Sequence, residues 1–259
     1  MKVGLIPTDC PNAMDEKAVT AKDIIEGQLN AGERAFITSA ILDAPVKTQV
    51  ALEVGTWLGG GSTLHILRAL HANGVGHLWG VEASKDIYER MTANIRAAVP
   101  EAADRFTPIF GFSNKVLPVW LNGLPAGAEV DFVFLDGGDN PYEQVEEFKL
   151  LSPRIRVGGV LMAHDARTRK GKWLAHYVGL LDNWETEVFD ISSEGVFRAR
   201  KIKPEPSAAS RKAAKRKLNI MRLEPMELVA RFLPSPVCGL ILRALPKRLS
   251  RRLTLGAGI

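Results

Sequence analysis

Residues 51–63, ALEVGTWLGGGST, set an apolar strand pattern, a glycine turn and a helix start in immediate succession. Val50 to Val54 supply the apolar run. Gly55, Gly59, Gly60 and Gly61 can take positive φ and let a ligand approach the backbone, and Ser62 or Thr63 stands where a helix is capped. Leu64, Leu67 and His71 then fall on one helical face, and Gly74 ends it. Such a unit belongs to an α/β sheet with a cofactor cradle at the C-terminal end of a strand. The turn does not spell G-x-G-x-x-G. Trp57 stands where the second glycine of that fingerprint belongs and obstructs a pyrophosphate, which argues against NAD and against an oxidoreductase on the same sheet. Glu53, two residues before the first glycine, suits instead a cofactor with a positive amino group near the turn.

The rest of the chain gives that unit a sheet to sit in. With 259 residues and 46% apolar content, the chain is long enough for one well-buried α/β domain and an appendage. Before the first strand, helical patterns cover residues 15–26 and 32–42, the second with Phe36, Ile37, Ala40 and Ile41 on one face. After it, residues 77–82 form an apolar run ending in Glu82, 21 positions past Gly61. That is where doubly wound folds place the carboxylate that accepts both ribose hydroxyls, although a surface Glu at a strand end is also common. Residues 105–110 read as a third strand leading to Gly111, Phe112 and Ser113, residues 130–135 as the most apolar strand, ending at Asp136, Gly137, Gly138 and Asp139, and residues 158–163 as a fifth, ending at His164 and Asp165. In an open parallel sheet the first, fourth and fifth strand tips meet, so Glu53, Asp136, His164 and Asp165 should converge. Residues 173–181 read as a helix, and residues 184–191 and 196–202 as two strands joined by a turn short enough to make them an antiparallel hairpin.

Together these stretches resemble class I S-adenosylmethionine (SAM) dependent methyltransferases of the catechol O-methyltransferase-like branch. The glycine turn is similar to the E-x-G-x-x-x-G motif, with one extra glycine before Ser62 and Thr63. Gly111 to Ser113 resembles the turn bordering the adenine, and Asp136 to Tyr142 the acid-rich block after the fourth strand. The resemblance covers about residues 32–202. It implies a Rossmann-like doubly wound seven-stranded sheet with one antiparallel strand, and SAM as cofactor. It implies a cofactor site of Glu53, Gly55, Thr56, Trp57, Gly59, Ser62, Glu82, Gly111, Phe112, Ser113 and Asp136, with Phe112 as an apolar wall. Ser113 is equally compatible with a helix cap. The helices ahead of the first strand would cover the cofactor and shape the acceptor pocket.

Methyl transfer to a hydroxyl needs in-line alignment and removal of the hydroxyl proton. Relatives of this branch use a divalent metal held by acids at the fourth and fifth strand tips, an Asn, and a nearby Lys. Asp136 and Asp165 match the acids, but Ala166 stands in place of the Asn and Asp139 in place of the Lys. Asp136 and Asp165, with Asp139 or His164 as a third ligand, can still hold Mg²⁺. Otherwise His164, with an ordinary pKa of about 6.5, is the natural general base, with Asp165 either orienting its ring or binding the substrate. Arg167, Lys170 and Lys172 either hold an anionic acceptor or form a solvated basic loop.

Three segments are expected: an N-terminal arm and lid helix over 1–31, a SAM-binding domain over 32–202, and a basic helical extension over 203–259. Residues 200–259 carry net +12, which leaves −7 on residues 1–199 of a chain whose total is +5. The apolar and basic faces within 210–255 suit an anionic membrane surface, or else pack on the domain or a second copy of the chain. Nucleic acid is disfavoured, because Phe232 is the tail's one stacking aromatic and the fourth strand lacks an N-P-P-Y type motif. No run reaches the roughly 18 to 20 apolar residues of a membrane span. Pro7, Asp9 and Pro11 interrupt any signal-peptide core, and Cys10 and Cys238 give no disulfide framework, so a cytoplasmic protein is expected. The favoured activity is O-methylation of a small-molecule or glycosidic hydroxyl. The rival is a SAM-fold module targeted to membrane or nucleic acid through its tail.

Overall fold

The structure is a computed structural model that describes residues 25–190 and 192–223. Helix α1 (Ala31–Leu42) precedes β1 (Val50–Val54), α2 (Thr63–Asn73), β2 (His77–Glu82) and α3 (Lys85–Ala98). A 3₁₀ turn (Pro100–Arg105) leads into β3 (Phe106–Phe110), followed by α4 (Ser113–Gly123), β4 (Val130–Leu135), α5 (Pro141–Leu151) and β5 (Ile155–Ala163). Helix α6 (Arg169–Val178), the hairpin β6 (Trp184–Phe189) and β7 (Val196–Lys201), and α7 (Ala208–Met221) complete it.

The sheet has seven strands in the order β3-β2-β1-β4-β5-β7-β6. Strands β1 to β5 pair in parallel, and β7 lies antiparallel between β5 and β6. This is the expected Rossmann-like sheet with one antiparallel strand. Burial on both faces explains why β4 reads as an unbroken apolar run. Phe132 and Phe134 pack with Ala51, Leu67 and Ile95 on one side, while Val133 and Leu135 pack with Leu52, Phe148 and Trp173 on the other. The order reverses between β1 and β4, so the cleft where ligands bind in such sheets opens at the tips of those strands.

Several boundaries differ from expectation. The 3₁₀ turn takes Arg105 out of the third strand. Helix α6 starts at Arg169, four residues earlier than its apolar pattern suggests, and so takes in Lys170. The extension's first helix is part of the same core: Ala214, Leu218 and Met221 of α7 are buried, whereas Arg211, Lys212, Lys215 and Arg216 face solvent. Past its end, the Arg222 guanidinium stacks 4.7 Å from the Tyr142 ring. Apart from Ile25 and Glu26, the helix expected over 15–26 lies outside the described residues, as do residues 224–259 of the basic tail. Among the described residues no helix is long and apolar enough to cross a membrane.

Candidate active site

A cavity of about 1200 Å³ runs along the strand tips, from Glu82 and Phe112 at one end to His164 and Lys170 at the other. The turn after β1 forms part of its wall. Gly55 (φ 88°) and Gly59 (φ 91°) take the left-handed backbone anticipated from sequence, but the glycines chiefly let the chain approach itself. A Cβ on Gly55 would fall 2.5 Å from Gly137 N, and one on Gly60 would fall 2.1 Å from Ile25 O. Trp57 adopts φ 44°, costly for a bulky residue. Its backbone N–H donates to Glu82 Oε2 at 3.0 Å, which holds the strained turn in place.

Glu82 lines the cavity, and its other oxygen accepts from Ser84 N at 2.9 Å. Each oxygen keeps acceptor capacity for a further donor. Gly55, Trp57, Gly111, Phe112, Ser113 and Asp136 also line the cavity, whereas Glu53, Thr56, Gly59 and Ser62 are buried behind it. Glu53 is fully buried between Gly80 of β2 and Phe134 of β4. Burial pushes its carboxyl up to about 8, partly offset by the hydrogen bond from the Ser62 hydroxyl, so at neutral pH it is mostly uncharged. The cavity-facing counter-charge anticipated at Glu53 is therefore replaced by a buried strut between β1 and the start of α2. Ser62 spends its hydroxyl on that strut and makes no side-chain cap.

At the far side of Glu82, Phe112 is the N-cap of α4 and is largely exposed, and Ser113 opens the helix, so Ser113 is not the cap. Ser113 interacts with Glu147 of α5, which also lines the cavity. Burial pushes the Glu147 carboxyl up to about 7, against the lowering effect of the Ser113 hydrogen bond, and among the described residues its Oε2 has no hydrogen-bond partner.

The other end of the cavity is a cluster of charges. His164 lies at the tip of β5 with Nδ1 3.5 Å from Asp136 Oδ1 and 3.6 Å from Asp165 Oδ1. Its Nε2 is 3.1 Å from Glu33 Oε1. Burial alone would lower the imidazole pKa, but hydrogen bonds and charges from Asp136 and Asp165 outweigh it and raise it to about 10. A protonated ring with carboxylates at both nitrogens has no lone pair free to act as the anticipated general base. Lys170 Nζ lies 2.8 Å from Asp136 Oδ1 and 3.0 Å from Asp165 Oδ2. Asp165, itself at φ 62°, would be raised by burial, but His164 and Lys170 bring it down to about 2. Among the described residues Asp136, His164 and Asp165 form a group whose ligand-type atoms lie within 4.8 Å of one another. Asp139, the third acid anticipated there, is exposed and outside the group.

The convergence expected of four strand-tip residues thus holds for Asp136, His164 and Asp165, while Glu53 stays behind the wall. Sequence reasoning missed Glu33 and misplaced Lys170. Asn30 and Glu33 form a capping box at the start of α1, a spacing visible in the sequence. Lys170 occupies the first turn of α6, where the helix dipole disfavours a cation, and a lysine there implies an acidic partner.

Residues 52–166 match a family model described as methyltransferase domain. No curated protein sequence matches the chain. Among solved structures, the cofactor-bound Rv0187 from MTB superposes with a TM-score of 0.55 at 22% identity, covering 71% of this chain and 85% of its own. An O-methyltransferase from Bacillus cereus in complex with SAH gives 0.56 at 19% identity, with 67% and 82% covered. TomG, an O-methyltransferase from Streptomyces achromogenes involved in tomaymycin synthesis and bound to SAM, gives 0.55 at 19%, with 68% and 82% covered. The sheet order and the matched domain agree: residues 52–166 are similar to a methyltransferase domain, and the chain has the fold of SAM-dependent O-methyltransferases.

Proposed function

We propose that this chain transfers the methyl group of SAM to a hydroxyl of a small-molecule acceptor. The observation that carries the reading is the single cavity joining Glu82 and Ser113 at one end to Asp136, His164 and Asp165 at the other. Glu82 has the acceptor capacity for two ribose hydroxyls, Phe112 and Ser113 border the adenine, and Gly55, Trp57 and Asp136 flank the methionine end. The carboxyl of Glu147, raised by burial to about 7 and so about half protonated at neutral pH, suits the less polar adenine side of the cavity. When bound, SAM supplies a methyl on an already activated sulfonium, so the chain contributes alignment and proton removal.

The acceptor hydroxyl hydrogen-bonds to Asp136 or Asp165. As its oxygen gains the new O–C bond its proton becomes strongly acidic, and a weakly basic carboxylate suffices to take it. His164 and Lys170 hold that pair of carboxylates in place. Gln28, Asn30 and Glu33 beside α1, with Glu194 of the β6–β7 turn, close the acceptor end and favour a compact acceptor. Two of the similar solved structures are O-methyltransferases, which supports oxygen as the receiving atom.

Calorimetry with S-adenosylhomocysteine and with NAD tests the cofactor, and a screen of hydroxylated acceptors with methyl-labelled SAM tests the reaction. Binding of NAD in preference to S-adenosylhomocysteine would overturn the reading.

A further inference from the structure

The candidate cation site at the tips of β4 and β5 already contains a cation of the chain's own. Lys170 Nζ is 2.8 Å from Asp136 Oδ1, 3.0 Å from the Asp136 carbonyl oxygen and 3.0 Å from Asp165 Oδ2. An ammonium has three N–H donors, and these three oxygens use all of them. They include the oxygens that a hard divalent ion would take. Mg²⁺ binds oxygen at about 2.0 to 2.1 Å, so an ion on Asp136 Oδ1 would share that atom with the ammonium and repel it at close range. His164 Nδ1 faces the same two carboxylates. The cluster as built therefore does not fit Mg²⁺ unless Lys170 leaves.

We propose that Lys170 takes the place of a divalent cation in this site, its ammonium clamping Asp136 and Asp165 as a fixed pair so that the enzyme works without metal. The local backbone is shaped for this clamp. Lys170 sits in the first turn of α6, against the helix dipole, and needs carboxylates to be stable there. Gly171 lets that turn close on the strand tip, since a Cβ there would fall 2.6 Å from the Asp165 carbonyl carbon. Gly171 N and Thr168 N both donate to Asp165 O, at 3.2 and 2.9 Å. Lys170 is then a positioning residue, touching the carboxylates and not the acceptor. The inference rests on the proposed chemistry only in giving those carboxylates to the acceptor; occupancy by the ammonium is read separately.

Mn²⁺ titrated into the full chain and followed by electron paramagnetic resonance reads cation binding without any acceptor. Wild type and Lys170→Arg are expected to show no Asp136-dependent Mn²⁺ site. Lys170→Ala should gain one, at least tenfold tighter than any wild-type binding, and Lys170→Ala combined with Asp136→Asn should lose it again. A wild-type Mn²⁺ site abolished by Asp136→Asn would overturn the proposal, and so would a folded Lys170→Ala that gains no site. If Lys170→Ala does not fold, the comparison of wild type with Asp136→Asn still decides. Calorimetry with S-adenosylhomocysteine on the same samples separates the two ideas: a wild type that binds neither ligand loses the methyltransferase reading and keeps the clamp.

Discussion

Glu33 Oε1 lies 3.1 Å from His164 Nε2, joining the start of α1 to the tip of β5 across 131 positions of sequence. The same oxygen accepts from the Ser192 hydroxyl at 2.5 Å, and Oε2 accepts from Asn30 N at 2.9 Å. One buried carboxylate thus caps a helix, fixes the imidazole and holds the β6–β7 turn. Removing one partner of a buried ion pair costs about 3 to 5 kcal/mol, because the other charge is left uncompensated. Glu33→Ala should lose that much in urea unfolding, and Glu33→Gln, which keeps the cap acceptor, clearly less. Equal stability of both variants to wild type would mean that this carboxylate holds nothing together.

Glu53 gives a pH dependence with a definite sign. Its carboxyl sits at about 8 when folded, against 4.5 as the ordinary value, because burial disfavours the charged form. Between those values the folded state keeps a proton that the unfolded state has released, so stability falls as pH rises through the window. Its loss is on the order of a few kcal/mol. Glu53→Gln should flatten this part of the profile in thermal melts from pH 5 to 8. An unchanged slope would remove Glu53 as its source.

Glu82→Ala should weaken S-adenosylhomocysteine binding by about 1.5 to 3 kcal/mol, the usual worth of a hydrogen bond to a charged group. Part of the loss comes from the turn itself, since Trp57 N and Ser84 N lose their acceptor. Glu82→Gln restores one acceptor oxygen and should fall in between. Calorimetry that finds all three proteins equal would exclude Glu82 from the ribose site.

Gly60→Ala should disturb the cavity without touching a ligand. Its added methyl meets Ile25 O at 2.1 Å, a backbone contact that no side-chain rotation relieves. The segment carrying Gln28 and Asn30 must shift, and both line the cavity. Faster hydrogen exchange at residues 25–30, with weaker S-adenosylhomocysteine binding, is the expected result. Gly61→Ala is the control, because its added methyl finds its nearest neighbour at an ordinary 3.6 Å.

The end of the cavity proposed for the cofactor is legible in the sequence because its signals are local. Each signal adjoins its own strand: a positive-φ glycine follows β1 at Gly55 and β3 at Gly111, and an acid ends β2 at Glu82. Glu53 misled because a strand-end carboxylate reads alike whether it points into the cleft or under α2, and only the pairing with Gly80 and Phe134 decides which. The acceptor half is written at long range. Lys170 meets a partner 34 residues away and Glu33 one 131 away, so neither contact leaves a periodic trace. What the sequence carried of them was indirect: a capping box for Glu33 and a misplaced positive charge for Lys170.

The position of β7 between β5 and β6 has a consequence for the order of events during synthesis. Strand β6 leaves the ribosome before β7, yet β7 is its neighbour in the sheet, so it joins the sheet only through the pairing of β7 with β5. The turn that follows β6 supplies Ser192 to Glu33, and its Gly195 and Glu194 carbonyls accept from Ala166 and Arg167 beside Asp165. Parallel pairing of β1 to β5 can therefore assemble the cofactor half on a nascent chain while the acceptor half waits for the last strand. On the function proposed above, the acceptor end of the cavity is the part that matures last.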